Sequence, residues 1–333
     1  MTVLLLTHSE DNESVRFMLD AIAARGGTAY RLDTDCFPTE VGLEVHHGPA
    51  GQRVIVSGPQ GRLDLSEVTA VWHRRLRVGK RIPGDMDAQL RSASVDESRA
   101  VLVGLVASLD AFHLDWLPAI RNAENKQLQL QVARAVGLQT PRTLSTNEPE
   151  AVRAFARECP GGMVAKMLHS FAILEGDTER VVFTSEVRPE HLEDLDSLRY
   201  CPMTFQENVP KALELRATVV GGRVFTASID SQAHAQARTD WRRQGVELVN
   251  DWRPYTLPAE VEGSLLRLMD RFGLNYGASD LIVTPEGRHV FLEVNPGGEF
   301  FWLERAPGLP ISEALAELLL DRAPRRLPRK LGF

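Results

Sequence analysis

Residues 276–300 read Y-G-A-S-D-L-I-V-T-P-E-G-R-H-V-F-L-E-V-N-P-G-G-E-F, and this stretch decides the fold of the C-terminal part of the chain. Its two apolar runs, Asp280–Thr284 and His289–Val294, are separated by the turn-forming residues Pro285-Glu286-Gly287. Runs of this length around a glycine-containing turn are typical of two antiparallel strands in a hairpin. The start of the first run and the end of the second run are therefore expected to lie side by side.

Three polar residues mark that end of the hairpin. Asp280 opens the first strand, and Glu293 and Asn295 end the second strand with one residue between them. The period-two geometry of a strand puts Glu293 and Asn295 on the same face. Two carboxylates and an amide oxygen form a hard-oxygen cluster, which suits Mg²⁺ shared with phosphates better than Zn²⁺. The alternative for an isolated E-x-N is a strand end capped by polar residues, so the rest of the chain must decide.

Length and composition exclude several classes of protein. The chain has 333 residues, of which 43% are hydrophobic and 25% are charged, as in an ordinary globular protein of two or three domains. A net charge of -7 argues against general binding to nucleic acid. We find no run of membrane-spanning length and no signal peptide. The cysteines Cys36, Cys159 and Cys201 lack metal-ligand spacing and leave one unpaired, so a cytoplasmic protein is expected.

The chain begins as an α/β domain. Val3–Thr7 is predicted to be a buried strand, Glu13–Ala24 an amphipathic helix and Thr28–Leu32 a second strand. This order gives a β-α-β unit. The connecting loop at residues 8–12 contains no glycine, so the glycine fingerprint of a dinucleotide site is absent and a nicotinamide cofactor is rejected.

A basic cluster follows a further predicted strand of this domain, Val68–Trp72. Residues 72–77 read W-H-R-R-L-R, with Lys80 and Arg81 close behind. Such a local concentration of positive charge is unusual in an acidic protein. It is either a solvated loop or a contact for an anion or an acidic peptide.

Two lysines stand out further along the chain. Gly161–Leu168 reads G-G-M-V-A-K-M-L, a glycine loop that leads into a strand with Lys166 inside an apolar run. Burying an ammonium group is costly unless an anion meets it, so Lys166 is expected to contact a phosphate. Lys126 follows the sequence N-A-E-N and precedes a helix that runs to Val136. Taken alone, Lys126 could equally be a surface lysine of that helix.

The second half of the chain contains two further hairpins and a hinge. Residues 171–184 are predicted to form a hairpin, and Phe205–Val209 is predicted to be a hinge whose backbone can read the edge of an adenine. Leu213–Val220 and Arg223–Asp230 form the second hairpin. Glu214 and Arg216 share one face of its first strand, where they either pair with each other or face a ligand.

The order of these features resembles the ATP-grasp ligases, which join a carboxylate to a nucleophile through an acyl phosphate. The shared pattern is K, K, hinge E, E-x-R, R, D and E-x-N, and it extends from Asn122 to Gly298. Several matches in the correct order outweigh the alternative explanation of each one. The resemblance implies an α/β (α+β) ATP-grasp fold with an N-terminal pre-ATP-grasp domain at 1–118, a central domain at 119–204 and a C-terminal ATP-grasp domain at 205–324.

The resemblance also implies roles for single residues. It assigns Mg²⁺ to Asp280, Glu293 and Asn295, the ATP phosphates to Lys126 and Lys166, the adenine and ribose end to Glu207, Val209 and Glu214, and the catalytic arginines to Arg216 and Arg242. Arg242 stands in T-D-W-R-R at residues 239–243, which resembles a short D-x-R element of the family. ATP and Mg²⁺ are the expected cofactors.

Two segments are similar, more narrowly, to the microviridin-type graspetide synthetases: V-x-x-V-W-H-R-R at residues 68–75 and T-D-W-R. Those enzymes cyclise a ribosomal precursor peptide by joining Asp or Glu side chains to Ser or Thr hydroxyls, or to Lys amines. The resemblance implies a leader and an acidic core peptide as partner, ester bonds ahead of amide bonds, and compatibility with a homodimer. Because the protein is acidic, local arginines must hold the acidic core, and Arg74, Arg75 and Arg243 are the candidates.

Two alternatives remain open at this point. The protein could be an ATP-grasp ligase that adds an amino acid to a small molecule or to a protein terminus, like the glutamate ligases. It could also be a nucleotide-binding module without turnover, although the complete set of metal ligands argues against this.

Overall fold

The computed structural model describes residues 1–49, 51–168, 172–175, 178–181, 183–234, 237, 239–244 and 247–326, and for 172–175, 178–181, 242 and 244 only the backbone. The first part of the chain forms, in order, β1 (Thr2–Thr7), α1 (Glu13–Ala24), β2 (Thr28–Asp33), β3 (Gly42–Gly48), β4 (Gly51–Gly58), β5 (Gly61–Asp64), β6 (Val68–His73), α2 (Ala88–Ala107) and β7 (Phe112–His113). The order β2-β1-β6-β7, with all neighbours parallel, confirms the expected α/β start.

The antiparallel sheet β3-β4-β5 is absent from our sequence prediction. Its strands pair in register from Gly42 with Ser57 and from Ile55 with Asp64. Glycines with positive φ begin β4 and β5, at Gly51 and Gly61. These turn residues around short β-branched runs are the signal that could have revealed the sheet.

The middle of the chain forms α3 (Leu117–Ala123), α4 (Lys126–Ala135), β8 (Thr143–Thr146), α5 (Pro149–Glu158), β9 (Met163–Lys166), β10 (Ala172–Glu175), β11 (Thr178–Val181), β12 (Ser185–Val187) and β13 (Met203–Glu207). The sheet has the order β12-β9-β13-β8, and β10 pairs separately with β11 as the expected hairpin. The turn of that hairpin, residues 176 and 177, lies outside the described residues. The expected domain boundary between residues 204 and 205 falls inside β13, which pairs over its whole length with β8 and β9.

The last part of the chain forms β14 (Leu213–Val220), β15 (Arg223–Ile229), β16 (Arg253–Pro254), α6 (Ala259–Phe272), β17 (Tyr276–Val283), β18 (His289–Asn295), α7 (Phe301–Arg305) and α8 (Ile311–Leu319). The sheet has the order β16-β15-β14-β17-β18, and the neighbouring strands are antiparallel. Both hairpins predicted here, β14–β15 and β17–β18, are present.

Strand β17 begins four residues earlier than our sequence prediction, so Asp280 lies within the strand and does not open it. The preceding residues are small enough to pack against α6. A Cβ at Gly277 would lie 2.7 Å from Met269 Cε, and Ala278 and Ser279 are fully buried. Because the strand begins early, Asp280 lies inside the sheet. It is paired with Arg216 of β14 on one side and with Glu293 of β18 on the other.

The N-terminal sheet and the C-terminal part share one hydrophobic core. Side chains of β1, α1 and β6, such as Leu5, Met18 and Trp72, lie in the same buried cluster as Trp302 of α7 and Leu315 of α8. A hydrogen bond also joins the two parts, since the carboxylate of Asp115 accepts from the backbone N–H of Asn275 at 2.5 Å. The N-terminal part is therefore packed directly against the elements that follow the β17–β18 hairpin.

Helix α4 joins the core under the C-terminal sheet. Ala133 of α4 is fully buried in one cluster with Leu268 of α6 and Phe291 of β18. Within the described ranges, we find no helix with the length and apolarity needed to cross a lipid bilayer.

Candidate active site

The β17–β18 hairpin brings the three expected metal ligands together. Asp280 lies opposite Glu293 in the strand register, and Asn295 lies two pairs further along, opposite Ala278. The register shifts between Asp280 and Leu281. Asn295 Nδ2 donates to Glu293 Oε1 at 3.1 Å. The side chains that the E-x-N spacing placed on one face thus lie next to each other.

Two lysines approach this group from other elements. Lys126 is the first residue of α4, whose start is capped by the Asn125 side chain accepting from Leu128 N. Its Nζ lies 3.1 Å from Glu293 Oε2 and 3.1 Å from Asn295 Oδ1. Lys166 ends β9, and its Nζ lies 4.0 Å from Glu293 Oε2.

The two ammonium groups control the charge of Glu293. Burial alone would raise the pKa of this carboxyl group, but Lys126 and Lys166 outweigh burial and hold the pKa well below its usual value. Glu293 is therefore ionised at neutral pH. An ionised, nearly buried carboxylate beside two lysines can exchange those cations for a divalent metal when phosphates take over the lysines.

Arg216 provides a further cation on the neighbouring strand. It lies opposite Asp280 in the β14–β17 register, and its Nη1 donates to Asp280 Oδ1 at 2.7 Å. Its guanidinium carbon lies 5.5 Å from the ring centroid of Trp302. Glu214 on the same strand pairs with Lys211 at 2.7 Å, so the alternative of a Glu214–Arg216 pair is wrong.

A cavity of about 400 Å³, the first cavity, opens between the central and C-terminal sheets. It is lined by the lysines, the hinge and the metal-ligand candidates: Lys126, Lys166, Glu207, Val209, Glu214, Asp280, Glu293 and Asn295. Leu215, Ile282 and Leu292 give it an apolar wall. A cavity that combines lysines with an apolar wall suits a nucleoside triphosphate, whose phosphates are charged and whose base is flat and largely apolar.

The first three residues of the predicted hinge, Phe205–Glu207, belong to strand β13. The part of the first cavity beside β13 and β14 carries two glutamates. Glu207 Oε1 accepts from the backbone N of Arg142 at 3.0 Å, which fixes β13 against the loop before β8. Glu214 is almost fully enclosed, and burial raises its pKa although Lys211 acts in the opposite direction. Lys211 lines the cavity and is absent from our sequence prediction. A lysine in the loop just before an apolar strand was the signal available for it.

A second cavity, of about 590 Å³, adjoins the first one. Arg75, Arg216, Glu299 and Trp302 line only the second cavity, together with Pro296–Gly298 from the loop that follows β18. The residues that line both cavities are Lys126, Leu168, Trp241, Asp280 and Asn295. Two of the three metal-ligand candidates, Asp280 and Asn295, therefore stand at the junction of the two cavities, and Glu293 lines the first cavity beside them.

Arg74 does not lie on a free surface, contrary to the expectation that it grips a substrate. Its side chain is 1% exposed, and it bonds to Glu299 at 2.6 Å and to the Gly297 carbonyl at 2.8 Å. Arg75 is 36% exposed and pairs with Asp11 and Glu299. Burial lowers the pKa of Arg75, and the adjacent Arg74 lowers it further. Only Arg75 of this pair reaches the second cavity.

The other two arginines of the expectation lie in the short 3₁₀ helix Trp241–Gln244. Arg243 donates to the Thr184 carbonyl at 2.9 Å and to Ser185 Oγ at 2.9 Å, and it lines neither cavity. The structure therefore does not bring Arg243 to the site. The side chain of Arg242 lies outside the described residues. The catalytic role of Arg242 stays a prediction.

The donor set fits Mg²⁺. Asp280, Glu293 and Asn295 offer carboxylate and amide oxygens, which are hard ligands. Among the described residues there is no group of three or more His, Cys, Asp or Glu side chains arranged for a metal. A site with two carboxylates leaves coordination positions for phosphate oxygens and water, as Mg²⁺ sites at nucleotides do.

Comparisons with known proteins agree with this geometry. Residues 2–121 match the family model of the MvdD pre-ATP grasp domain. The crystal structure of macrocyclase MdnC, bound with precursor peptide MdnA from Microcystis aeruginosa MRC, is 51% identical, with a TM-score of 0.87 over 96% of this chain and 100% of MdnC. A RiPP-associated ATP-grasp ligase from Chryseobacterium gregarium, in complex with ADP and a leader and core peptide, is 37% identical, with a TM-score of 0.94 over 99% of both chains.

More distant relatives share only part of their length with this chain. Beta-citrylglutamate synthase B of Danio rerio is 25% identical over 222 residues, which are 65% of this chain and 52% of that protein. The chain thus spans about half the length of this relative. The full-length agreement is with the macrocyclases, and the expected ATP-grasp fold is confirmed. The chain belongs to the ADP-forming ATP-grasp ligases, within the group of ribosomal-peptide macrocyclases known as graspetide synthetases.

Proposed function

We propose that the protein cyclises a ribosomal precursor peptide by joining Asp or Glu side chains of its core to Ser or Thr hydroxyls, or to Lys amines. One observation carries this proposal. The first cavity, which suits a nucleotide, meets the second cavity at the metal-ligand candidates Asp280 and Asn295 and at Lys126. A carboxylate that enters the second cavity therefore faces the phosphate end of the first cavity.

The reaction has two chemical steps. In the first step, an oxygen of the peptide carboxylate bonds to the γ-phosphorus of ATP, the bond from that phosphorus to the bridging oxygen breaks, and ADP leaves. In the second step, the hydroxyl or amine of another side chain bonds to the acyl carbon, and phosphate leaves with the former carboxylate oxygen. The nucleophile loses one proton. Each bond thus removes the elements of one water from the peptide and converts one ATP to ADP and phosphate.

The charged residues at and beside the junction have different electrostatic roles. Lys126 and Lys166 neutralise the phosphates, and Asp280, Glu293 and Asn295 hold Mg²⁺, which neutralises charge on the phosphate oxygens when bound. Arg216 lies beside Asp280 and lines the second cavity, so it faces both the transferring phosphoryl group and the acyl group. Arg242 follows Trp241 in sequence and is assigned the same task by resemblance.

The opposite end of the nucleotide binds at the hinge. The backbone of Glu207 and Val209 reads the adenine edge, and Glu214 takes the ribose hydroxyls. Lys211 stabilises the ionised form of Glu214 through their contact at 2.7 Å. In the second cavity, the half-exposed guanidinium of Arg75 receives a core carboxylate, because a planar guanidinium can donate two parallel hydrogen bonds.

Peptide recognition includes a leader as well as an acidic core, in line with the leader and core peptide of the Chryseobacterium gregarium ligase. The overall resemblance to microviridin-type enzymes favours ester bonds over amide bonds. A homodimer is compatible with this proposal. The competing function is addition of a free amino acid, which receives support from the 26% identity over 212 residues to a probable alpha-L-glutamate ligase of Teredinibacter turnerae (strain ATCC 39867 / T7901).

Mass spectrometry of a peptide substrate separates these two functions. The protein is incubated with ATP, Mg²⁺ and the peptide MdnA, and in parallel with free glutamate. Cyclisation predicts loss of the mass of one water for each bond formed. A gain in mass, or release of AMP and pyrophosphate, would contradict the proposal. Mild alkaline treatment of the product then distinguishes ester bonds, which hydrolyse, from amide bonds, which persist.

A further inference from the structure

Two apolar side chains stand at the junction of the two cavities. Of the residues that line both cavities, Lys126, Asp280 and Asn295 are polar and are accounted for by phosphates and metal. Trp241 and Leu168 carry no charge to offer a phosphate, and most of the surface of both side chains is apolar. Their place at the junction puts them around the point where the acyl phosphate forms.

Trp241 is held there by two other tryptophans. Its ring centroid lies 5.2 Å from that of Trp252 at an interplanar angle of 81°, and 5.6 Å from that of Trp302 at 49°. Trp252 is 1% exposed and Trp302 is 6% exposed, and both belong to the buried cluster shared by the N-terminal and C-terminal parts. Aromatic contacts in these edge-on and tilted geometries are favourable. Trp241 itself is only partly buried, because the remainder of its surface faces the cavities.

Leu168 lines both cavities from the chain that follows β9. It follows β9 by two residues and is 41% exposed, which makes it one of the few large apolar side chains with such exposure in the described part of the chain. Exposure of the leucine side chain to water is unfavourable, and the lysines and carboxylates nearby do not cover it. Contact with a bound substrate would remove its apolar surface from water.

The proposed reaction needs apolar side chains at this point, because its intermediate is sensitive to water. An acyl phosphate is a mixed anhydride that water can cleave. Attack by water returns the carboxylate and phosphate, so the net result is hydrolysis of one ATP with the peptide unchanged. A ligase that waits for a side-chain hydroxyl, which is no stronger a nucleophile than water, must keep water away from this intermediate.

We infer that Trp241 and Leu168 form an apolar collar around the junction, which excludes water from the acyl phosphate and so couples ATP use to bond formation. The inference rests on the proposed cyclisation. The charged residues beside the collar act on the formation of the acyl phosphate. The collar acts afterwards, because it decides how much of the acyl phosphate reacts with water and how much reacts with the side-chain nucleophile.

The test measures ADP released for each water mass lost from MdnA, in wild type and in the variants Trp241→Ala, Trp241→Phe and Leu168→Ala. Wild type should give a ratio near one. Trp241→Ala should raise the ADP released in excess of bond formation by about tenfold, which corresponds to about 1.4 kcal/mol in the competition between water and the side chain. Leu168→Ala should raise it less, and Trp241→Phe least. Tyr200→Ala is the matched control, because Tyr200 is 91% exposed and lines neither cavity.

The excess ADP release must also depend on the peptide. If Trp241→Ala released the excess ADP without MdnA, water would reach ATP itself and the collar would be wrong. An unchanged ratio in Leu168→Ala and in both Trp241 variants would also overturn it. Leu168→Ala and Trp241→Phe keep the test valid if Trp241→Ala does not fold. Failure of wild type to remove water from MdnA would instead count against the proposed function, so the two failures are distinguishable.

Discussion

The buried guanidinium of Arg74 donates to the carboxylate of Glu299 at 2.6 Å and so joins the end of β6 to the loop after β18. Arg74 Nη1 donates to the Gly297 carbonyl at 2.8 Å, and the same carboxylate of Glu299 pairs with Arg75. This contact links residues more than two hundred positions apart in the sequence. It makes the N-terminal part a support for the loop that lines the second cavity.

Arg74→Ala should destabilise the protein. Removing one partner of a buried ion pair costs roughly 3–5 kcal/mol when the other is left alone. Because Glu299 keeps its contact with Arg75, the loss should fall at or below the lower end of that range. Arg77→Ala is the matched control, because Arg77 is 44% exposed and its ion pair with Glu10 spans 3.7 Å at the surface. Thermal or denaturant unfolding measures the difference. Equal unfolding midpoints for the two variants would mean that Arg74 does not brace the loop.

Glu293→Gln and Asn295→Ala should abolish Mg²⁺-dependent release of ADP while the fold persists. Each removes a metal ligand, so the loss should exceed the roughly 10–100-fold that changes to the outer-shell partners of ligands cost. Glu286→Gln makes the same chemical change at the exposed turn of the same hairpin and should leave the rate unchanged. Steady-state rates against Mg²⁺ concentration decide the matter, and near wild-type rates for both variants would remove the metal site from this account.

Gly298→Ala should slow peptide turnover, and Gly297→Ala should not. A Cβ at Gly298 would lie 2.5 Å from the buried Ala278 Cβ and 3.2 Å from Arg216 Nη2. A Cβ at Gly297 would meet its nearest atom, the Arg74 carbonyl oxygen, at an ordinary 3.7 Å. Overpacking of this kind typically costs 1–3 kcal/mol and would displace Arg216. Peptide kinetics for the pair of variants test this, and equal effects would show that Gly298 has no special steric role.

Asp115→Asn should stabilise the protein increasingly as pH rises. Burial raises the pKa of Asp115 well above its usual value, although the N–H groups of Asn275 and Tyr276 act against this. The folded state therefore keeps a proton that the unfolded state, with a pKa of about 3.9, releases. The stability from that proton is complete below the unfolded pKa and is lost as pH rises toward the folded pKa.

The advantage of Asp115→Asn over wild type should consequently grow by about 1.4 kcal/mol per pH unit until the folded pKa is passed. Denaturant unfolding at about pH 5, 6 and 7 measures it. The asparagine can still accept the hydrogen bonds through its side-chain oxygen. A difference between the two proteins that does not change with pH would show that Asp115 is ionised in the folded state.

The sequence predicts the local elements of this site and fails on their surroundings. Glu293, Asn295 and Asp280 meet as predicted, because strand period and hairpin pairing are local properties. Arg74 is different, because its burial depends on how β6 packs against a loop far along the chain. The shared core of the N-terminal sheet with α7 and α8 is likewise a tertiary feature that no local pattern contains. Lys211, by contrast, carried a local signal that our prediction did not use.

The central claim is that the peptide carboxylate is activated as an acyl phosphate, and transfer of an isotope tests it most directly. MdnA is labelled with ¹⁸O in its core carboxylates and incubated with the protein, ATP and Mg²⁺. The account predicts that one ¹⁸O appears in inorganic phosphate for each water lost from the peptide, since the phosphate leaves with the former carboxylate oxygen. Label found in AMP, or retained entirely in the peptide and water while bonds form, would contradict the account.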